Sequence, residues 1–175
     1  MTIETGMHYP LNLRSLPQGW RFGFVGDFAK KIESGFASGE HNALGDGIPH
    51  LRPMNVSRNG ALDFDVVKHV DPRKGERRLQ LGDVLFNNTN SAELVGKTAV
   101  VNHSGEFAFS NHMTRITFGD DVIPKFAAIQ LHFLWMRGYF QYNCVKHVNQ
   151  ASVSSTALAR SVPFVWAPPE TQARI

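Results

Sequence analysis

The sequence is short of several things, and each shortage removes a class of function. It carries one cysteine, Cys144, in 175 residues. A single thiol cannot build an internal disulfide framework, which excludes the small stapled secreted domains and fits a reducing compartment. Cys144 itself reads as a small buried hydrophobe. Long apolar runs are missing: the most apolar stretch, Phe126 to Met136, is broken by Gln130 and His132 and falls far below the roughly 20 residues of a membrane span. With no basic-then-apolar leader at its start, the chain is expected to be soluble and cytoplasmic, with no membrane partner.

Recognisable catalytic loops are missing too. There is no Gly-x-Gly-x-x-Gly, no phosphate-cradling Gly-Lys-Ser loop and no nucleophile elbow. Eight histidines invite a search for metal or acid–base chemistry, but His50, His69, His103, His112, His132 and His147 have no metal-ligand spacing and no neighbouring Cys pair. No cofactor, metal or catalytic residue is therefore expected. Asp63 and Asp65 would share one face if their segment were a strand, and with Lys68 they loosely suggest a nuclease metal site. Solvated charges beside a turn explain them more simply.

What is present is an ordinary globular composition, 42% apolar and 19% charged, near the usual size of one compact domain. Eighteen Lys and Arg against fifteen Asp and Glu give a net charge of +3, which tolerates a phosphate-rich partner without demanding one. The excess sits late in the chain. From Asp121 onward, Lys125, Arg137, Lys146, Arg160 and Arg174 face only Asp121 and Glu170, so any polyanion belongs near the C-terminal third.

Residues 1–16 read as an aperiodic lead-in. Asp27 is placed to cap a short helix over Phe28–Ile32, with Gly35 as its left-handed stop. A Gly- and Asn-rich loop over 39–47 leads to a short strand, Ile48–Arg52, which Pro49 assigns to an edge or a strand start. Asn59-Gly60 marks a turn, and the residues from Ala61 to Val70 fit either strand alternation or a short helix. The middle is β-rich: Val84–Phe86, Thr98–Val101, Phe107–Phe109 and His112–Phe118. Pro124 then opens a helix to about Arg137 with Phe126, Ile129, Gln130, Phe133, Leu134 and Met136 spaced for a broad buried face. A second short helix over Ser152–Ala159, a strand over Val162–Trp166 and a last helical turn from Pro168-Pro169 complete the pattern. The expected fold is α/β of the α+β kind, a single globular domain with a central, mostly antiparallel or mixed twisted sheet and a few packed helices.

Three polar clusters could carry recognition. Asn87-Asn88-Thr89-Asn90-Ser91 follows a strand and precedes Gly96-Lys97; Asn can donate and accept at an adenine edge, and Lys97 can contact phosphate or guanine. An Asn-rich turn with no ligand accounts for the same residues equally well. Arg52, Asn55, Ser57 and Arg58 form a second cluster, and Lys146, Asn149, Gln150 and Ser152 a third. Each joins a cation for phosphate with amides or hydroxyls for groove edges. Aromatic interleaving of the single-strand-binding kind is absent, so double-stranded DNA is the better-matched partner.

Taken in order, these segments resemble the target-recognition domains of type I restriction-modification specificity subunits over nearly the whole chain. The resemblance rests on Leu16-Pro17-Gln18-Gly19-Trp20, on Val25-Gly26-Asp27-Phe28-Ala29 with Ile32 and Gly35, and on Ile48-Pro49-His50-Leu51-Arg52 with Asn55. It continues through Leu79-Gln80-Leu81-Gly82-Asp83-Val84-Leu85-Phe86, Val95-Gly96-Lys97, Asn149-Gln150-Ala151-Ser152, and Pro163 through Pro168-Pro169-Glu170-Thr171-Gln172 to Ile175. Order and spacing carry it, since no single piece is diagnostic. Trp166 departs from the small or aliphatic residue common before the proline pair.

The resemblance implies a subunit without catalysis of its own, serving phage defence by reading one half of a split DNA target. It would bring that target to methyltransferase and restriction subunits. It divides the chain into the lead-in at 1–16, a recognition domain at 17–167 and, at 168–175, the start of a conserved spacer helix that is cut short here. In the family that helix pairs with its counterpart, so a second copy or a second recognition domain is an implied partner. The same fold inside a fused restriction-methyltransferase would look identical in this window, and a protein-interaction domain without DNA binding remains compatible with the modest charge.

Overall fold

The computed structural model describes residues 15–73 and 77–175; residues 1–14 of the expected lead-in lie outside the described residues. The chain forms β1 (Arg21–Phe24), one helical turn α1 (Val25–Phe28) and β2 (Ala29–Ser34), then β3 (Ile48–Leu51), a 3-10 turn at Pro53–Asn55 and β4 (Lys68–Val70). Next come β5 (Val84–Asn87), β6 (Thr89–Asn90), β7 (Thr98–Val100), β8 (Ala108–Phe109) and β9 (Met113–Phe118). The last third holds α2 (Pro124–Met136), α3 (Tyr139–Tyr142), β10 (Val145–Lys146), β11 (Ala151–Ser152), α4 (Ser155–Ser161), β12 (Pro163–Trp166) and α5 (Pro169–Gln172).

The centre is a four-stranded antiparallel sheet in the order β2-β9-β5-β7. Successive side chains of a strand point to opposite faces, and here both faces are covered. Val84 and Phe86 of β5 with Ile116 and Phe118 of β9 meet Phe126, Leu131 and Leu134 of α2, together with Phe140, Leu158 and Phe164. Leu85, Ala99 and Met113, one residue out of phase, meet Leu51, Val56, Leu79 and Phe109 beneath. Burial on both sides is why β5 reads as an unbroken Val-Leu-Phe run. Each fully buried side chain of this size contributes about 1.5–3 kcal/mol. A second, mixed sheet, β4-β3-β8, lies under the second face, with β3 antiparallel to β4 and parallel to β8.

Several local expectations are corrected. The helix expected over Phe28–Ile32 is instead β2, paired with β9 from Ala29↔Phe118 to Ser34↔Thr114. Asp27 does cap, but within the preceding turn, where its Oδ2 accepts the Phe24 N–H at 2.7 Å. Gly35 is required by close approach and not by a left-handed stop: a Cβ there would lie 2.0 Å from the Phe109 carbonyl oxygen. Strand β3 is central in its sheet, not an edge. Pro49 is tolerated because pairing with β8 begins only at His50. Of the ambiguous stretch from Ala61, only Lys68–Val70 becomes a strand, and the second late helix begins at Ser155, capped by the Ser154 hydroxyl.

Helix α2 is correctly placed, but its buried face is not the expected one. Ala127, Ala128, Leu131 and Leu134 are buried, whereas Ile129, Phe133 and Met136 are 41%, 36% and 59% exposed. A helix that is apolar nearly all round carries no periodic signal to choose its face. Hydrogen bonds choose it: the Gln130 amide donates to Val165 O at 3.0 Å and accepts from Val165 N at 2.6 Å, clamping α2 to β12. The exposed side forms a groove of about 480 Å³ with Leu16, Trp20 and Val165. Trp166, the departure noted above, donates its indole N–H to Asp121 O at 3.0 Å, and the Arg21 guanidinium lies 3.9 Å over its ring.

Candidate nucleic-acid interface

The strand register brings two of the polar clusters, Asn87–Ser91 and Lys146–Ser152, to one end of the central sheet. Asn87 pairs with Met113, Phe86 with Thr98 and Ser34 with Thr114. The end of β5 and the starts of β7 and β9 are therefore level, and the polar segments leave from the same rim. Strands β6, β11 and β10 form a small antiparallel sheet there, with Ala151↔Asn90 and Ser152↔Thr89 joined on one side and Val145↔Ser152 on the other. Residues about 60 apart in sequence, Thr89-Asn90 and Lys146–Ser152, thus become one surface. The Val153 N–H donates to Asn88 O at 2.9 Å and ties this sheet to the core.

The projecting part is the hairpin β10–β11. His147 N–H donates to Gln150 O at 2.7 Å, leaving Val148 and Asn149 as the corner. Residues 145–150 are all exposed. The His147 ring Nε2 lies 3.1 Å from the Ser152 hydroxyl, which steadies the ribbon from one side. Lys146, Asn149 and Gln150 therefore present a cation and two amides to solvent. Thr89 and Asn90 sit half-buried at its base, with the Thr89 hydroxyl donating to Asn88 Oδ1 at 2.7 Å and Asn90 Oδ1 accepting the Ser91 N–H at 2.8 Å.

Four of the candidate residues are instead part of the interior. Asn55 is 1% exposed: its Oδ1 accepts the Arg52 N–H at 2.9 Å, and its Nδ2 donates to Asp63 O at 2.9 Å and Val66 O at 3.0 Å. Asn87 donates to Leu94 O at 3.0 Å. Asn88 donates to Asn111 O at 3.1 Å and Thr114 Oγ1 at 2.8 Å. Lys97 turns inward and donates its ammonium to Val56 O; burial, with the Arg58 charge nearby, lowers its pKa. A buried polar group left unpaired is costly, and the bonds these side chains make hold the rim together from inside; Asn87 Oδ1 is buried without a partner. Gly96, before Lys97, has φ +98, and a Cβ there would lie 2.2 Å from the Phe140 ring.

The remaining cluster, Arg52 to Asn59, is a polar loop under the same rim. Arg58 is exposed, and Arg52 and Ser57 are half-buried. The Ser57 hydroxyl donates to Ala61 O at 2.9 Å, fixing the expected Asn59-Gly60 turn. His132 anchors it: its Nδ1 accepts the Thr98 N–H at 3.3 Å and its Nε2–H donates to Arg58 O at 3.1 Å. This requires the neutral ring, and burial lowers its pKa accordingly. Sequence reasoning missed His132 because a lone histidine in a helix carries no pattern. It also missed that β6 and β11 pair, since two-residue strands leave no periodicity.

Asp63 and Asp65 do not form the face a nuclease site needs. Their segment is not a strand, and Asp63 Oδ1 accepts the Asp65 N–H at 3.0 Å in a local turn. Among the described residues, no group of three or more His, Cys, Asp or Glu is placed to hold a metal ion. Nor is any described helix long and apolar enough to cross a membrane. The buried ionic group lies elsewhere: Arg115 pairs with Glu33 and lies 3.7 Å from Asp83. Burial would raise the Glu33 pKa, but Lys31 and Arg115 outweigh it and hold the carboxyl low.

No protein-family model matches the sequence. A curated protein of Methanocaldococcus jannaschii, named as the specificity subunit of a type I restriction enzyme, MjaX, is 26% identical over 149 residues. Among solved structures, a chain from a study of complex assembly and conformational transition of the type I R-M system superposes with a TM-score of 0.70 at 20% identity, covering 96% of this chain. The HsdS subunit of Thermoanaerobacter tengcongensis follows with a TM-score of 0.66 at 21% identity and 94% coverage. The chain is similar in sequence to a type I specificity subunit and shares the fold of those that have been solved. The type I S subunit of M. genitalium, at 9% identity, still gives a TM-score of 0.55, so the specificity-subunit architecture persists where sequence identity is low. The match covers 82% of this chain but 35% of the curated relative, and 38% and 37% of the first two solved chains. The chain therefore spans about a third of a specificity subunit's length.

Proposed function

We propose that this chain is a target-recognition module for double-stranded DNA, reading one half of a bipartite target within a type I restriction-modification complex. Residues 17–167 are the recognition domain and 168–175 the start of the spacer helix. The module has no catalysis of its own and presents its site to methyltransferase and restriction subunits. The observation that carries this reading is the convergence of cation- and amide-bearing segments at one rim of a specificity-subunit fold. Lys146, Arg52 and Arg58 supply positive charge for phosphates, which fixes register but carries no sequence information. Asn149, Gln150, Asn90, Thr89, Ser57 and Ser152 supply groups that can read base edges. Asn55, Asn87, Asn88 and Lys97 support the rim from inside.

The test is selection of the purified chain on a random duplex DNA pool, at low and moderate salt without metal, with sequencing of the retained fraction. Enrichment of a motif of a few base pairs without cleavage is the expected result. Retention without a motif reduces the reading to general phosphate affinity, and no retention at low salt overturns it.

A further inference from the structure

We propose that Val148 is a specificity-determining residue that packs on the 5-methyl group of a thymine in the major groove; this rests on the DNA-reading proposal above. Val148 is 99% exposed at the corner of the β10–β11 hairpin. The fold gives no reason for it. Two-residue corners favour Gly, Asn and Asp, whereas an apolar residue there leaves its side chain in water and contributes no packing. A valine at the outermost point of a polar ribbon is accounted for by a ligand that has an apolar feature to meet it.

The neighbours specify the kind of ligand. Val148 lies between His147 and Asn149, with Lys146 and Gln150 exposed on the same hairpin. A two-stranded ribbon, with strands about 4.8 Å apart, enters a major groove about 12 Å wide. Within that groove the thymine methyl is the apolar feature of the base edges, and amides from the same ribbon can reach adjacent acceptors and donors. The minor groove offers no methyl, so the chemistry of the tip distinguishes the two.

The half-site enriched from the random pool is titrated with the full chain, then remade with each thymine replaced singly by deoxyuracil, which keeps the pairing edge and lacks the methyl. One position is expected to weaken binding about fourfold, the effect of exposing one methyl-sized apolar group. Val148→Ala should bind the parent duplex about as weakly as the native chain binds the deoxyuracil form, and be indifferent to the replacement. Its thermal midpoint should be unchanged, since the side chain makes no packing contact. An enriched half-site at which no deoxyuracil replacement alters affinity overturns the proposal while leaving DNA reading intact. Failure to enrich any motif overturns DNA reading itself.

Discussion

Replacing Asn55 by Ala separates an amide that builds the rim from one that reads DNA. The side chain is 1% exposed and makes three hydrogen bonds, to Arg52 N, Asp63 O and Val66 O. It closes the 3-10 turn at Pro53–Asn55 and holds the loop that passes beneath Val56. Each bond contributes about 1 kcal/mol net, and the loss is larger where the partner is left buried without a replacement, so the variant should lose about 3 kcal/mol. For a chain of this length that corresponds to a fall in Tm of about 6–12 °C. Asn55→Asp should be no better, because a carboxylate cannot donate to two carbonyls. Thermal or urea unfolding gives the stability, and selection on the random pool, at a temperature where the variant is folded, gives sequence choice. A Tm within about 2 °C of the native chain, together with a changed motif, would refute the argument and return Asn55 to the DNA-facing set.

Loss of the exposed amide in Gln150→Ala should do the opposite, leaving unfolding unchanged while relaxing choice at one base pair by about 1–3 kcal/mol; competition between single-base variants of the half-site measures it. Lys146→Ala should lower the salt slope of DNA binding by about one. Lys97→Met, which removes an inward-facing ammonium, should leave that slope unchanged, and titrations between low and moderate salt distinguish the two. His132 has a pKa held below its ordinary value of 6.5 by burial. The unfolded chain therefore takes up the proton first, so stability is complete above about pH 6.5 and falls as pH drops below it. His132→Gln should flatten that fall in urea midpoints measured from pH 7.5 to 5, with His50, lowered in the same direction by burial, supplying the remainder.

The elements whose residues interact with near neighbours were legible from sequence. Strands β5, β7, β8 and β9 were bounded to within a residue or two because their runs are β-branched or aromatic and separated by turn formers, whereas the two residues of β6 were read as part of a polar loop. Helix α2 was placed by Pro124 at its first position, and the Asn59-Gly60 turn by local chemistry alone. The ordered resemblance to specificity subunits likewise depended only on the sequence. The helix expected over Phe28–Ile32, read from a cap at Asp27 and a stop at Gly35, failed because pairing of Ala29–Ser34 with β9, 80 or more residues away, outweighed those local signals. Residue type also identified the three polar clusters, but not which members face solvent. Asn55 and Asn149 are the same residue in similarly polar segments, one holding three backbone groups inside the fold and the other at a hairpin corner.

Sequence alone thus determined the α/β composition, the order of the longer elements from β5 onward and the family likeness, because these follow from propensities and patterns within short windows. The rim, the burial of Lys97, the face of α2 and the meeting of Thr89-Asn90 with Ala151-Ser152 were decided only in the tertiary structure. Those outcomes depend on which buried polar groups find partners and which strands align in register, conditions set jointly by residues far apart along the chain.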